Sequence, residues 1–387
     1  MGRPPACRRS NGNIERGWSD RVTTVIFDHQ VFSWQGYGGI SRYFYELAKR
    51  VNASEGFSAS VIAPLYVNNY LAAGGVNTKG IRIPELPRAR RAVDIANRCL
   101  ESAMLKAIQP DVVHETYYRQ TSSAPRGCPV VITVHDMIPE KSAAKFGRAD
   151  ATSARKRTAV ERADRIVCVS ENTRKDLLEL FEPDSRKIRT IHLGFSFPGT
   201  LGNPVRRSQP RPYFLYVGLR GGYKNFDNLL SAYASQPRLR DEFDLIAFGS
   251  HPFTRQESTS IDALGLTSLQ VRHLSGNDAV LEQLYAHATA LVYPSLYEGF
   301  GIPPLEAMGS GCPVLCSDKS SIPEIVGDGG LYFDPHSIDA IADAMERVAS
   351  AAELRSDLIT RGRSRARLFS WDRCAAETLD VYRDLLH

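Results

Sequence analysis

YPSLYEGFGIPPLEAMGSGCPVLCSD, residues 293–318, holds in one stretch a strand end, a glycine turn, a helix and a second strand. ALVYPS closes an apolar strand, and LYEGFG turns the chain through Glu298, Gly299 and Gly301. PPLEAM opens a helix. Pro303 and Pro304 suit its first turn, where backbone N–H groups have no intrahelical partner. GSG ends the helix and PVLCS is the next strand, so the stretch is a βαβ unit. Glu298 lies on the turn and Glu306 inside the helix. The N–H groups of Gly299–Ile302 point out of the helix N-terminus, a place that binds phosphate through those donors and the helix dipole. Two carboxylates beside an anion repel it unless each contacts something else, and sugar hydroxyls are suitable partners. The stretch reads as a site for a phosphorylated sugar compound. The alternative is an ordinary turn with two exposed glutamates.

The run Glu298-Gly-Phe-Gly-Ile-Pro-Pro-Leu-Glu306-Ala-Met resembles the signature of family 4 of the retaining glycosyltransferases, two glutamates with seven residues between them in the context E-G-F-G-[IL]-P-x-L-E-A-M. The resemblance implies an α/β chain of the GT-B fold: two Rossmann-like, doubly wound parallel-sheet domains facing each other across a cleft. It further implies roles. Glu298 stands by the donor sugar and Glu306 holds the nucleotide's ribose. The backbone of Gly299, Phe300, Gly301 and Ile302 contacts the donor's sugar hydroxyls and phosphate.

At 387 residues the chain suits two or three domains, and its 43% hydrophobic and 24% charged content is that of a soluble globular protein. No apolar run approaches the ~18 residues of a membrane span. MGRPPACRRSNGNIERGWSD is polar and basic, unlike a secretory signal, and residues 1–20 are expected to be a disordered extension. The seven cysteines show no metal-ligand spacing and fit a cytoplasmic protein with reduced thiols. The net charge of +5 suits nucleotide-diphosphate substrates or an anionic membrane surface. Zinc-finger, RNP and helix-turn-helix patterns are missing, which argues against nucleic acid.

RVTTVIFD at 21–28 is the first strand, and Gly38 and Gly39 precede a helix starting near Ile40. Such a loop lets backbone approach a phosphate or sugar closely. GYGGIS is not a dinucleotide fingerprint. Gly38-Gly39-Ile-Ser-Arg42 is similar to the family's G-G-[IV]-x-R loop at the cleft. FSASVIAP is a strand, and residues 65–109 read as irregular, then helical. Val93, Ile95, Ala96, Leu100, Met104 and Leu105 approximate a helical apolar face. The arginines there, and those of a basic helix at 141–165, fit either a solvated face or contact with anionic lipid heads. DVVHE and PVVITVHD are continuous apolar runs, as in a parallel sheet buried on both faces. Each ends in a histidine beside an acid, at the strand ends where such folds bind ligands. VHDMIPE resembles the family segment that places a histidine under the donor sugar. The resemblance assigns that role to His135, with Asp136 as an orienter.

Residues 197–211 have a linker composition, which divides the chain into a domain at 21–196, the acceptor side by the resemblance, and another at 212–370, the nucleotide-sugar-binding side. The second opens with PYFLYVG, ending at Gly218, then LRGGYKNFDNLL. Arg220 and Lys224 sit on a glycine turn aimed at an anion. In the resembled family an arginine and a lysine of this loop grip the donor diphosphate, and Gly218 belongs to the same donor site. The loop at 274–278 is the candidate for the base. The last segment, 371–387, is helical, and in the family a C-terminal helix crosses back to the first domain.

The expected function is therefore transfer of a hexose from a GDP- or UDP-linked nucleotide-diphospho-sugar to a glycan or lipid-linked acceptor in cell-surface polysaccharide synthesis; the HDMIPE segment resembles that of bacterial mannosyltransferases acting on surface polysaccharides, which weakly favours GDP-mannose. His135, Glu298, Lys224 and Arg220 are the expected catalytic residues. No metal or other cofactor is expected, because no Asp-x-Asp loop is present and the cations can neutralise the leaving diphosphate. The protein is expected in the cytoplasm, peripherally at the inner face of the membrane. A catalytically silent donor-binding protein, a sugar-nucleotide epimerase, a phosphorylase and a nicotinamide dehydrogenase are the rival readings.

Overall fold

The computed structural model describes residues 22–85, 87–141, 151–195, 209–249 and 251–386. The extension expected at 1–20, the linker up to residue 208 and residues 142–150 of the expected basic helix lie outside these described residues.

Two parallel sheets form the frame. The first runs β3-β2-β1-β4-β5-β6-β7, from strands Thr23–Phe27 (β1), Phe57–Tyr66 (β2), Thr78–Arg82 (β3), Val112–Glu115 (β4), Val130–Val134 (β5), Arg165–Cys168 (β6) and Ile188–Thr190 (β7). The second runs β10-β9-β8-β11-β12-β13, from Tyr213–Val217 (β8), Asp244–Phe248 (β9), Val271–Leu274 (β10), Ala290–Tyr293 (β11), Val314–Ser317 (β12) and Gly330–Phe333 (β13). Both repeat one winding: the strand order grows outward from the first strand on one side, then reverses and grows on the other. The reversals fall between β1 and β4, and between β8 and β11. Helices on both faces bury central strands completely: VVITV, YFLYV, ALVY and VLCS are buried throughout and, apart from Thr133 and Ser317, carry no hydroxyl other than those of tyrosines. Phe27, Phe44, Phe214 and Tyr293 are among the buried aromatic anchors, each stabilising the fold by about 2 kcal/mol through burial.

The sequence reading departs from the structure in two places within residues 65–109. TKGIR forms the edge strand β3, which is almost wholly exposed and carries no apolar run to announce it. Helix Arg90–Ile108 is present, but its buried face matches the expected apolar one only in part. Asn97, Glu101 and Leu105 are buried while Ile95 and Leu100 are exposed. Asn97 accepts from the Leu65 N–H at 2.7 Å and Glu101 pairs with Arg119 at 3.0 Å, so hydrogen bonds rather than hydrocarbon decide which side faces in.

The domains meet through specific contacts. Helix Trp371–Leu386, at the end of the second half, packs on helix Gly39–Asn52 of the first. Asp372 meets Arg50 at 2.6 Å, and the Tyr382 hydroxyl lies 2.7 Å from His114 Nδ1. Glu324, from the short helix Ile322–Val326, caps helix Glu171–Phe181 of the first domain. Its oxygens accept from the Glu171 N–H at 2.8 Å and the Asn172 N–H at 3.1 Å, and His192 Nε2 is 2.6 Å away. Ser170, the N-cap of helix Glu171–Phe181, donates its hydroxyl to the Gly299 carbonyl at 2.6 Å.

Candidate active site

A cleft of about 500 Å³ opens where the second sheet reverses and faces the first domain. Loops leaving β8 and β11 supply one wall: Gly218, Tyr223 and Lys224 from the first, Glu298–Ile302 from the second. The two loops are joined by a backbone bond, Leu296 N–H to Tyr223 O, at 2.8 Å. Asn225 follows Lys224 at φ 59° and ψ 34°, and its side-chain amide donates to the carbonyls of Pro294 and Pro335. A residue that tolerates the left-handed region is required there, so the Lys-Asn step is a matter of backbone geometry.

Lys224 Nζ lies 2.7 Å from Glu298 Oε1. Burial alone would lower the lysine's pKa, but the Glu298 charge outweighs it and the net shift is upward, so the ammonium stays charged. Glu298 is 7% exposed and firmly seated: its N–H donates to Ser320 Oγ at 2.8 Å, and its carbonyl accepts from Ser321 Oγ at 2.9 Å. Gly299 is tightly enclosed. A Cβ there would stand 1.7 Å from the carbonyl oxygen of His135, across the domain boundary. Gly301 has φ +115° and starts helix Ile302–Gly309. Pro303 and Pro304 carry no N–H, so the backbone N–H groups that this turn and helix start have to offer are those of Gly299–Ile302. The Phe300 side chain is not a cleft group in the same sense, for it packs edge-on against Phe369 with centroids 6.0 Å apart.

Glu306 is 5% exposed and turned into the cleft. Arg42 Nη1 lies 3.2 Å from its Oε1 and 3.7 Å from Asp278 Oδ2, and Tyr285 donates to Oε2 at 3.4 Å. Burial pushes the Glu306 carboxyl up to about 7, with Arg42 opposing and Asp278 adding to the shift. Arg42, from the Gly38-Gly39-Ile-Ser-Arg run, thus joins the site as a direct partner of Glu306. Gly38 and Gly39 line the same cleft, and Ile302 Cδ1 would be 3.8 Å from a Cβ on Gly39.

His135 and Asp136 supply the first-domain wall. Burial, helped by the Lys156 charge, pulls the His135 pKa down to about 3, so the ring is neutral at working pH. Tyr43 and Phe44 hold the ring edge-on at 5.4 and 5.8 Å, and among the described residues its Nε2 has no hydrogen-bond partner. Asp136 does not orient it: its Oδ1 accepts from the Ile138 N–H at 3.1 Å, and Lys156 approaches the same oxygen at 3.9 Å. His114, the other strand-end histidine, is buried between Tyr382 and Thr133 and does not line the cleft.

Arg220 is the correction. It does not line the cleft. Its side chain is 1% exposed and turns to the far side of the turn, Nε 2.7 Å from Glu257 and guanidinium 4.8 Å from the Phe253 ring. Nη2 donates to the His251 carbonyl at 2.7 Å. It clamps the loop after β9 and leaves Lys224 as the cation that this turn presents to the cleft. Spacing along the turn put both residues near the anion but does not give the direction of either side chain.

The fold agrees with what is found among known proteins. The chain belongs to the glycosyltransferases: residues 37–196 match the model of Glycosyltransferase Family 4 and residues 203–365 that of Glycosyl transferases group 1. A relative is the Escherichia coli O-antigen chain mannosyltransferase B, 33% identical over an alignment of 235 residues that covers 58% of this chain and 62% of that protein. The D-inositol 3-phosphate glycosyltransferase of a Nocardioides species is 29% identical, with 89% of this chain and 85% of the relative covered. Among solved structures, Anabaena HepE in complex with UDP and glucose superposes with a TM-score of 0.71 at 18% identity, over 92% of this chain and 99% of that one. WaaG, a glycosyltransferase involved in lipopolysaccharide biosynthesis, superposes with a TM-score of 0.69 at 20% identity, over 92% of this chain and 99% of that one. The architecture is the GT-B fold.

Proposed function

We propose that the chain moves a hexosyl group from a nucleotide-diphospho-sugar to a saccharide acceptor in cell-surface polysaccharide synthesis, with retention of configuration and without a metal. GDP-mannose is the favoured donor, a choice supported by the mannosyltransferase relative and the HDMIPE segment. The observation that carries the reading is one cleft in which Lys224, the N–H groups of Gly299–Ile302, Glu298 and Glu306 meet a neutral His135. In this reading the bond between the sugar's anomeric carbon and the phosphate oxygen breaks, and the acceptor oxygen bonds to that carbon on the same face. The departing phosphate takes the acceptor's proton. Lys224 and the helix terminus offset the charge that builds on it. Glu298 accepts hydrogen bonds from sugar hydroxyls, the neutral His135 ring accepts from or donates to one, and Glu306 accepts from ribose. The closed domain contacts at Gly299 exclude water and favour transfer over hydrolysis.

A thermal-shift screen of GDP-, UDP- and ADP-sugars tests the donor. One series should raise the unfolding midpoint, since a ligand at 100 times its Kd adds about 2.7 kcal/mol. No shift with any nucleotide-sugar contradicts the proposal. Peripheral membrane contact belongs to the same reading. Helix Arg90–Ile108 exposes Ile95 and Leu100 among its arginines, an arrangement suited to an anionic interface. Among the described residues no helix is long and apolar enough to cross a membrane. Co-sedimentation with anionic liposomes should fall as salt rises, and no binding at low salt would return this helix to a solvated surface.

A further inference from the structure

Lysine is seldom enclosed in a protein core, yet Lys156 of helix Ala151–Arg162 is 1% exposed. Its ammonium reaches the backbone just beyond β5, where the chain carries His135. Nζ donates to the Asp136 carbonyl at 2.8 Å and to Glu140 Oε2 at 2.8 Å, and it stands 5.3 Å from the centre of the Tyr118 ring. The Tyr118 hydroxyl in turn accepts from the His135 N–H at 3.3 Å. The same backbone meets the second domain at Gly299, where a Cβ would stand 1.7 Å from the His135 carbonyl oxygen.

The His135 ring itself has little to fix it. Among the described residues its Nε2 has no hydrogen-bond partner, and Tyr43 and Phe44 meet it only edge to face. Its place in the cleft therefore depends on where its backbone stands. Stability does not account for a lysine at 156. Replacing a buried ion pair by well-packed uncharged side chains of similar volume is often neutral or stabilising. A methionine would fill the space of the Lys156 stem, but it has no group to donate to the Asp136 carbonyl. A bond from an ammonium to a carbonyl is of the stronger, charge-assisted kind.

We propose that Lys156 is a positioning residue for the transfer: through the Asp136 carbonyl and the Tyr118 ring it fixes the turn that holds His135 in the cleft, and so sets the rate of the chemical step rather than the affinity for the donor. The inference rests on the transferase reading, in which His135 meets a hydroxyl of the transferred sugar. Lys156 does not line the cleft and acts only through the segment it holds. Glu140 balances its charge inside the first domain.

The deciding variant is Lys156→Met/Glu140→Gln, which removes both buried charges with little change of volume. Thermal unfolding checks that it folds. Its kcat should fall at least about tenfold, while donor KM and nucleoside-diphosphate affinity stay within about twofold of the wild type. Glu140→Gln alone keeps the bond to the Asp136 carbonyl and should lose less turnover. A double-mutant cycle with His135→Ala separates positioning from loss of structure. If Lys156 acts through His135, the paired substitution costs no further turnover once His135 is gone, whereas a purely structural loss would multiply with it. Unchanged kcat in the paired variant, or the full further loss in the His135→Ala background, overturns the proposal. Should the paired variant not fold, Lys156→Gln, a donor of shorter reach, takes its place in the cycle with the same two outcomes. If the wild type transfers from no nucleotide-sugar, the transferase reading falls, and the magnetic resonance signal of the His135 ring in protein carrying isotope-labelled histidine still decides on Lys156. That signal, identified by its loss in His135→Ala, should be single in the wild type and broadened or split in the paired variant. A single sharp signal in both overturns the positioning role.

Discussion

Glu306 carries its charge where burial disfavours it. Its folded pKa of about 7 stands above the ordinary 4.5, so between these pH values the folded protein holds a proton that the unfolded chain has lost. The resulting stability is complete below the unfolded value and is lost as pH rises toward 7, at most roughly 3 kcal/mol. Glu306→Gln should flatten this part of the dependence of unfolding midpoint on pH between 5 and 8. A slope equal to the wild type's would place the titration elsewhere. Lys224 has the opposite character, a cation kept charged by Glu298 and ready to meet a diphosphate. Lys224→Ala should weaken donor binding by about 1.5–3 kcal/mol and slow transfer. Unchanged kinetics in a folded variant would remove Lys224 from the site. Glu298, Glu306 and Lys224 were legible because each sits at a fixed offset from a strand end or helix start. Arg220 was not, because a turn residue's side chain takes its direction from partners such as Glu257 and Phe253 that are distant in sequence.

At the scale of elements, the strands buried on both faces could be read directly as apolar runs. The exposed edge strand β3 could not, nor could the polar part of one helix's buried face, Asn97 and Glu101. The same scale holds the contacts that close the cleft. Glu324 caps a helix of the other domain and pairs with His192, and nothing in its own segment reveals a partner more than 100 residues away. Glu324→Ala removes that cap, which should cost about 1–2 kcal/mol and loosen the domain contact. The unfolding midpoint should fall, and small-angle scattering should show a larger radius of gyration. A variant matching the wild type in both would mean that Glu324 does not hold the domains.

For the whole molecule, the βαβ pattern and the signature at 298–308 were enough to give two doubly wound sheets. The pairing between them was out of reach, because it depends on bonds such as Arg42 to Glu306 and Ser170 to Gly299 that join the two halves of the chain. Those bonds place the Glu298 and Glu306 carboxylates in one cleft with separate surroundings: Glu298 by Lys224, Glu306 by Arg42 and Tyr285. The central claim is that one nucleotide-sugar spans both. The most direct test measures nucleoside-diphosphate affinity by calorimetry, beside product formation, in Glu298→Gln and Glu306→Ala. Glu306→Ala should weaken nucleoside diphosphate and donor alike. Glu298→Gln should lower turnover far more than it weakens nucleoside-diphosphate binding, the pattern of an interaction made mainly in the transition state. Equal losses of nucleotide affinity in the two variants, or full turnover in Glu298→Gln, would contradict the account.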